Sequence, residues 1–336
     1  ADSIKTMVAS TIAPIMSRTV GRRTLVAASR PSRPTAAQVA LDDLPPSNAL
    51  GSTSKVAKST LDCTSTFATR YFTALTIQPE IKLYQYHICP FCNITKSLLS
   101  YSHLDFKTVE VNPLTKAELK SWSGGYTKVP IALIDKEQVN GSEEIIDSIL
   151  SSPHVHHTLG ARWLKECTNG DENRMTMQQF LKSENAIKWL RFARDDLATL
   201  LYPNICGTLS DSFDAFRYVK NVDSFTNLQK IYIQWFGAVA MHFAASKIKS
   251  KRNITDERVC LIEALDNFEK EGLQDGIISY LSGVQCPNMG DVAVFGVLNS
   301  VEGLNAHNDV IHSRGGHVKE WYDRMYQQVL GKGIEQ

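Results

Sequence analysis

The sequence predicts an α+β domain followed by an all-α domain, and three observations carry that reading. From residue 81 apolar runs alternate with helix-period segments, then give way to a strand pair. Cys89-Pro90-Phe91-Cys92 falls where the first apolar run meets the first helical one. After Glu184, apolar residues recur at helical spacing almost to the C-terminus. A length of 336 residues suits about two domains, each able to bury its own core.

The run 81–86 reads as a strand and 91–101 as the helix after it. A strand at 105–112 and a helix at 116–122 follow. Then 129–135 reads as a strand, 137–140 as its short hairpin partner and 142–150 as a helix, which is the thioredoxin order of elements. Ser142 is a natural cap for that last helix, with Glu143 and Glu144 suited to its first turn. Pro130 opens the third strand, where thioredoxin-type folds hold a cis peptide facing the cysteine pair. That geometry would free the Val129 backbone to pair with an extended peptide; the plain alternative is an ordinary proline at the start of a strand.

Residues 151–183 are polar and read as an irregular interdomain linker, in which His154, His156 and His157 read as solvated rather than as metal ligands. Helices are predicted over 186–202, 211–221, 226–250, 255–271, 290–301 and 317–330, within a helical domain spanning 184–331. The apolar stretch after Asn288-Met289-Gly290-Asp291 predicts a buried helix, with Asn288 capping its amides and Asp291 reaching back.

Residues 1–77 read as a leader and linker. Up to Ala40 the bases Lys5, Arg18, Arg22, Arg23, Arg30 and Arg33 face one acid, Asp2, among many Ser, Thr and Ala, which is organellar transit composition, with the mitochondrion favoured and a plastid the alternative. Met7 lies inside this stretch and is a candidate start; a basic disordered arm is the other reading. The thioredoxin-like body is expected over 78–150. Lys+Arg 36 against Asp+Glu 35 argues against a dedicated nucleic-acid binder. Seven cysteines without regular spacing do not resemble a secreted disulfide framework, so reduced thiols are expected. No window is apolar enough to span a bilayer; 231–245, interrupted by Gln234 and His242, reads as core helix. Peripheral membrane association through 67–77 stays open.

Chemistry concentrates at the Cys-x-x-Cys. At a strand-to-helix turn the Cys89 sulfur would face unpaired amides at the positive end of the helix dipole, which lowers a thiol pKa from about 8.5 and favours the nucleophilic thiolate. Pro90 in the first helical turn presets φ and sacrifices only an unpaired amide. Zinc, which uses the same spacing, wants four ligands, and no second cysteine pair supplies them.

Four blocks carry a family resemblance: Leu83-Tyr84-Gln85-Tyr86 running into Cys89-Pro90-Phe91-Cys92, Val109-Glu110-Val111-Asn112-Pro113, Lys128-Val129-Pro130-Ile131, and Pro287-Asn288-Met289-Gly290-Asp291 with its apolar helix. Together they resemble the type-2, membrane-associated prostaglandin E synthase family of the glutathione S-transferase superfamily. The resemblance implies a glutaredoxin-like N-domain, a transferase-like helical C-domain, frequent dimerisation, glutathione beside the first cysteine and, in some members, haem. By motif position it implies Cys89 as the reactive thiol, Cys92 as its partner and Tyr86 as a hydroxyl near the substrate. Val129, beside Pro130, would offer its backbone to the glutathione cysteinyl unit, and Ser142 its hydroxyl and amide to the γ-glutamyl carboxylate. Gly141 departs from the family's Asp, which removes a carboxylate for the γ-glutamyl ammonium; Glu143 is the candidate substitute. His87, two residues before Cys89, would favour the thiolate if protonated, or is a solvated loop residue.

The expectation is a glutathione-dependent thiol enzyme acting on an electrophilic small molecule, by endoperoxide isomerisation or thiol transfer. The alternative is a non-catalytic, transferase-like accessory subunit of a large organellar assembly, for which the substitution at Gly141 speaks. Homodimerisation belongs to the first reading.

Overall fold

A computed structural model describes residues 77–166 and 176–331. Almost all of the expected leader, Cys63, Cys167 and most of the 67–77 segment lie outside the described residues. The N-terminal body runs β1 (Ile81–Gln85), α1 (Pro90–Tyr101), β2 (Phe106–Glu110), α2 (Ala117–Lys120), β3 (Ile131–Ile134), β4 (Glu137–Asn140) and α3 (Ser142–Leu150). The sheet order is β2-β1-β3-β4, with β1 parallel to β2, β1 antiparallel to β3, and β3 antiparallel to β4. The parallel pair needs a crossover, which α1 supplies; the antiparallel pair needs a tight turn, which Asp135 and Lys136 supply at φ 49° and 73°. This is the thioredoxin arrangement the sequence predicts.

The segment 151–183, expected to be irregular, carries α4 (Pro153–Glu166) and α5 (Met177–Leu181). Its polar composition hides a narrow apolar pair, Val155 and Leu159 at i and i+4, both buried. The histidines therefore stand on a helix rather than in a loop. His156 Nε2 lies 2.7 Å from the Leu150 carbonyl oxygen. Cys286 is disulfide-bonded, against the expectation of reduced thiols.

The helical region begins with α6 (Glu184–Arg191), which passes through a π-helical turn at Phe192–Leu197 into α7 (Ala198–Cys206). The helix expected over 211–221 is two pieces, α8 (Leu209–Ala215) and a 3₁₀ turn at Arg217–Asn221. Then come α9 (Asn227–Arg252), α10 (Glu257–Asn267), α11 (Met289–Asn299), the short α12 (Asn305–His307) and α13 (Gly316–Val329). Thr226 and Gln229 close a capping box on α9, and Asn253 ends it in the left-handed region at φ 53°.

Packing centres on α11, whose residues from Met289 through Leu298 are all buried. Asn288 accepts the Gly290 and Asp291 amides at 2.8 and 3.2 Å, and Asp291 accepts the Asn288 amide at 2.9 Å, the reciprocal cap that the sequence predicts. A Cβ at Gly296 would lie 2.7 Å from the Ile94 Cα and 2.8 Å from the Asn93 carbonyl oxygen. The glycine lets α11 meet α1 backbone to backbone and so sets how the cysteine helix sits on the helical region. Gly296→Ala should cost about 2–3 kcal/mol, because backbone cannot swing aside as a side chain can. An unchanged urea midpoint would refute that tight contact.

The expectation that 231–245 is simply core needs correction. Ile233, Ala238, Ala240 and Met241 are buried, but Leu228, Ile231, Tyr232, Trp235, Phe236 and Phe243 are exposed along the opposite side of α9. Apolar residues surround this helix, so composition alone does not separate its packed face from its open one.

Candidate active site

The strand register brings the predicted residues to one end of the sheet. Tyr84 is opposite Ile131 and Ile131 opposite Asn140. The chain therefore carries Tyr86 past Pro130 and Val129 on one side, and the Gly141 amide donates to the Pro130 carbonyl oxygen at 3.0 Å on the other. Ser142 follows, buried as the first residue of α3. The Val129-Pro130 peptide is cis, as expected.

Cys89 is the N-cap of α1, with Pro90 in the first turn, and it is 8% exposed, whereas Cys92 is fully buried. The Cys92 S–H hydrogen bond holds the Cys89 thiol below its ordinary value against the opposing effect of burial, helped by the Cys92 and Phe91 amides and the charge of Lys96. Burial and the bond to Cys89 push Cys92 up. The two free thiols are thus set apart, Cys89 held down and Cys92 pushed up. Tyr86 is buried beside them, its hydroxyl without a hydrogen-bond partner among the described residues. Lys116 Nζ stands 4.6 Å from the centre of its ring.

His87 is not the cation that serves Cys89. Its ring stacks on Tyr218 at 5.1 Å, and desolvation together with the charge of Lys96 lowers its pKa to about 4, leaving it neutral near pH 7 although the residue as a whole is exposed. Lys96 takes that part. It lies seven residues after Cys89 and four after Cys92, hence on the same face of α1. That spacing was readable in the sequence.

Glu143 is committed elsewhere, to an ion pair with Arg194, which is 8% exposed. Gly141, rather than Ser142, is the N-cap of α3, and at φ 92° and ψ 154° it occupies a region that suits glycine. A Cβ there would lie 2.8 Å from Glu144 Oε2, so an aspartate at 141 would be strained and would displace an existing carboxylate. The Glu144 carboxylate thus lies beside the position where a residue-141 side chain would start.

Glu110, Tyr202 and Tyr218 complete the surroundings. The cysteine charges reach both tyrosines, which burial foremost keeps protonated well above their ordinary value. Both tyrosines arrive from helices remote in sequence, and nothing local marks them. A cavity of about 290 Å³ opens beside the cysteine turn, lined by His87, Ile88, Asn204, Tyr218, Glu302 and Asn305 among others.

Residues 83–154 match a family model described as the glutathione S-transferase N-terminal domain. The chain is 30% identical over 273 residues to prostaglandin E synthase 2 of Danio rerio, covering 73% of this chain and 70% of that protein. It is 29% identical over 277 residues to prostaglandin E synthase 2 of Mus musculus, covering 74% and 70%. Among solved structures, an apo glutathione S-transferase III aligns at a TM-score of 0.43 and 16% identity, over 75% of this chain and 96% of that one.

Proposed function

The chain belongs to the prostaglandin E synthase 2 family of the glutathione S-transferase superfamily, and from that premise we propose that it performs glutathione-linked thiol transfer with Cys89 as nucleophile. The observation that carries the reading is the division of Cys89 and Cys92 into a favoured thiolate and a protonated thiol. In the reaction the Cys89 thiolate attacks one sulfur of a disulfide substrate; a Cys89–sulfur bond forms, the substrate S–S bond breaks, and the other sulfur leaves as a thiolate. Glutathione thiolate then attacks the mixed disulfide and releases Cys89. A second glutathione closes the cycle as glutathione disulfide.

The tripeptide would pair with the Val129 backbone and set its γ-glutamyl carboxylate at Ser142, by the N-terminus of α3. Glu144, whose carboxylate lies beside Gly141, would meet the ammonium in place of Glu143, which Arg194 holds. Haem does not fit the neighbouring cavity: about 290 Å³ is at the low end for ligand pockets, and Asp211, Asp214 and Glu302 line it.

Titration of the full chain with glutathione, paired with reduction of a small disulfide, tests the reading. Saturable binding and turnover are expected. Absence of both, with slow labelling of Cys89, would overturn it.

Endoperoxide isomerisation is the second reading, favoured by the unpartnered Tyr86 hydroxyl and by the name of the relatives. The thiolate would bond one peroxide oxygen as the O–O bond breaks, and the other oxygen would take a proton. Loss of the ring C–H proton would form the ketone, and the S–O electrons would return to sulfur, with Tyr86 bonding the leaving oxygen. Conversion of a cyclic endoperoxide without consumption of glutathione would select it.

The open face of α9 is assigned to a second copy of this chain. Four half-exposed aromatics with Leu228 and Ile231 leave on the order of 700 Å² of apolar surface, near the ~800 Å² per partner of a stable dimer. The stripe runs from Leu228 to Phe243 with Trp235 and Phe236 near its middle, so an antiparallel copy covers it with the same residues. A dimeric mass in light scattering, lost in Trp235→Glu, is expected. A wild-type monomer would refute the dimer, and a much larger particle would favour the accessory-subunit reading. The basic, Ser- and Thr-rich leader supports a mitochondrial address; a mature N-terminus found still at Met7 would contradict it.

A further inference from the structure

The cavity beside the cysteine turn has a wall chemistry that thiol transfer, as described, leaves without a task. His87 and Ile88, the two residues before Cys89, form one side of it, and neither Val129 nor Ser142 lines it. It is therefore separate from the groups expected to hold glutathione. The rest of the wall comes from α7, α8 and the segment between α11 and α12. There Asn204 is 5% exposed, and its Nδ2 donates to the Leu200 carbonyl at 2.9 Å and to the Glu257 carbonyl at 2.7 Å. Two carbonyl partners fix which end of the amide is nitrogen. Oδ1 is the end left over, buried and without a hydrogen-bond partner among the described residues. An acceptor so placed is costly until a donor meets it.

Charge points the same way. Asp211, Asp214 and Glu302 line the cavity, and Arg217, which lines it too, is ion-paired with Asp214. Asp211 and Glu302 have no salt bridge among the described residues. The Ser300 hydroxyl is spent on the Val297 carbonyl at 2.7 Å, and His87 is neutral near pH 7. The wall thus offers acceptors and negative charge. Among the described residues no group of three His, Cys, Asp or Glu side chains could hold a metal ion, so these carboxylates suit an organic cation.

Resting on the reading that Cys89 transfers thiols, we propose that this cavity receives an aliphatic ammonium arm of the disulfide substrate, which makes small aminoalkyl disulfides the preferred class over carboxylate-bearing ones. An ammonium brings three donors and no acceptor, so it can serve Asn204 Oδ1 while facing Asp211 and Glu302. A volume of about 290 Å³ suits one short arm rather than a large apolar ligand. The arm is held at the turn that ends in Cys89, and the bonds made and broken are those of the transfer itself.

The test is the rate at which 2-aminoethyl and 2-sulfonatoethyl methanethiosulfonate modify Cys89 in the full chain, located by peptide mass and divided by each reagent's rate with free 2-mercaptoethanol. With both, the Cys89 thiolate attacks the sulfur bearing the ethyl arm; a Cys89–sulfur bond forms, the bond to the sulfonyl sulfur breaks and methanesulfinate leaves. Wild type should favour the ammonium reagent by about tenfold or more, the scale on which a cleft of one sign enriches its counter-charge. Asp211→Asn combined with Glu302→Gln should bring that ratio close to one, and Asn at 211 keeps an acceptor for the Thr208 hydroxyl. Glu302→Gln alone, at an exposed position, should lower it part of the way and decides the matter if the double variant does not fold. A wild-type ratio of one or below overturns the proposal, as does a preference that survives the substitutions. Turnover of cystamine and of 3,3′-dithiodipropionate with glutathione, each divided by its uncatalysed rate, separates the two readings. If neither is reduced while the labelling preference holds, the thiol-transfer reading alone falls; if both are reduced equally, the proposal alone falls.

Discussion

Cys89→Ser is expected to lower thiol transfer by at least about a thousandfold while shifting stability by less than about 1 kcal/mol. The surroundings of Cys89 act by stabilising an anion: a donating Cys92 S–H, two amides of the first helical turn and the charge of Lys96. These suffice for a thiol near its titration range but not for an alcohol, whose pKa lies far above it. Serine therefore leaves the shape of the site and removes its nucleophile. The companion measurement is alkylation against pH. Because the Cys89 value is held down, its labelling should persist as pH falls, whereas Cys206, pushed up to about 12 by burial, should stay silent throughout. Retained turnover in Cys89→Ser, or labelling of Cys206 at the same rate, would remove Cys89 from the chemistry.

Asp291→Ala should cost about 3–5 kcal/mol of stability. Asp291 is fully buried and accepts three hydrogen bonds from separate places: the Asn288 amide at 2.9 Å, the Leu281 amide at 3.1 Å and the Trp321 indole N–H at 2.8 Å. Truncation strands three buried donors, each worth roughly 1–3 kcal/mol when unpaired. It also loosens Trp321, whose ring meets Phe268 at 4.8 Å, and Phe268 in turn meets Trp189 at 5.2 Å. Asp291→Asn retains one acceptor oxygen and should fall between wild type and alanine. A urea midpoint in Asp291→Ala that implies less than about 1 kcal/mol would show that the carboxylate caps a helix end and organises nothing further.

Much of the fold was legible because its signals are local. The break from alternating elements to the 137–140 hairpin, Pro130 ahead of β3, and Asn288 with Asp291 around α11 are each read within a few residues, and each stands in the structure where expected. The helix at 153–166 escaped because Val155 and Leu159 are a thin apolar stripe among polar neighbours. At the site, Lys96 could have been found from its helical spacing to both cysteines. His87 and Glu143 are close to Cys89 and Gly141 along the chain, but the structure leaves the first neutral and gives the second to Arg194.

The sequence by itself determined the cysteine pair, its place at a strand-to-helix turn and the thioredoxin-like order around it, because backbone preference and side-chain period act over short distances. Only the tertiary structure decided which groups surround that pair. Burial, and with it the pKa of Glu110, the neutrality of His87 and the approach of Tyr202 and Tyr218, depends on packing between segments far apart in the chain. The same holds for the two sides of α9. Both are apolar in sequence, and only the packing of its neighbours covers one and leaves the other open.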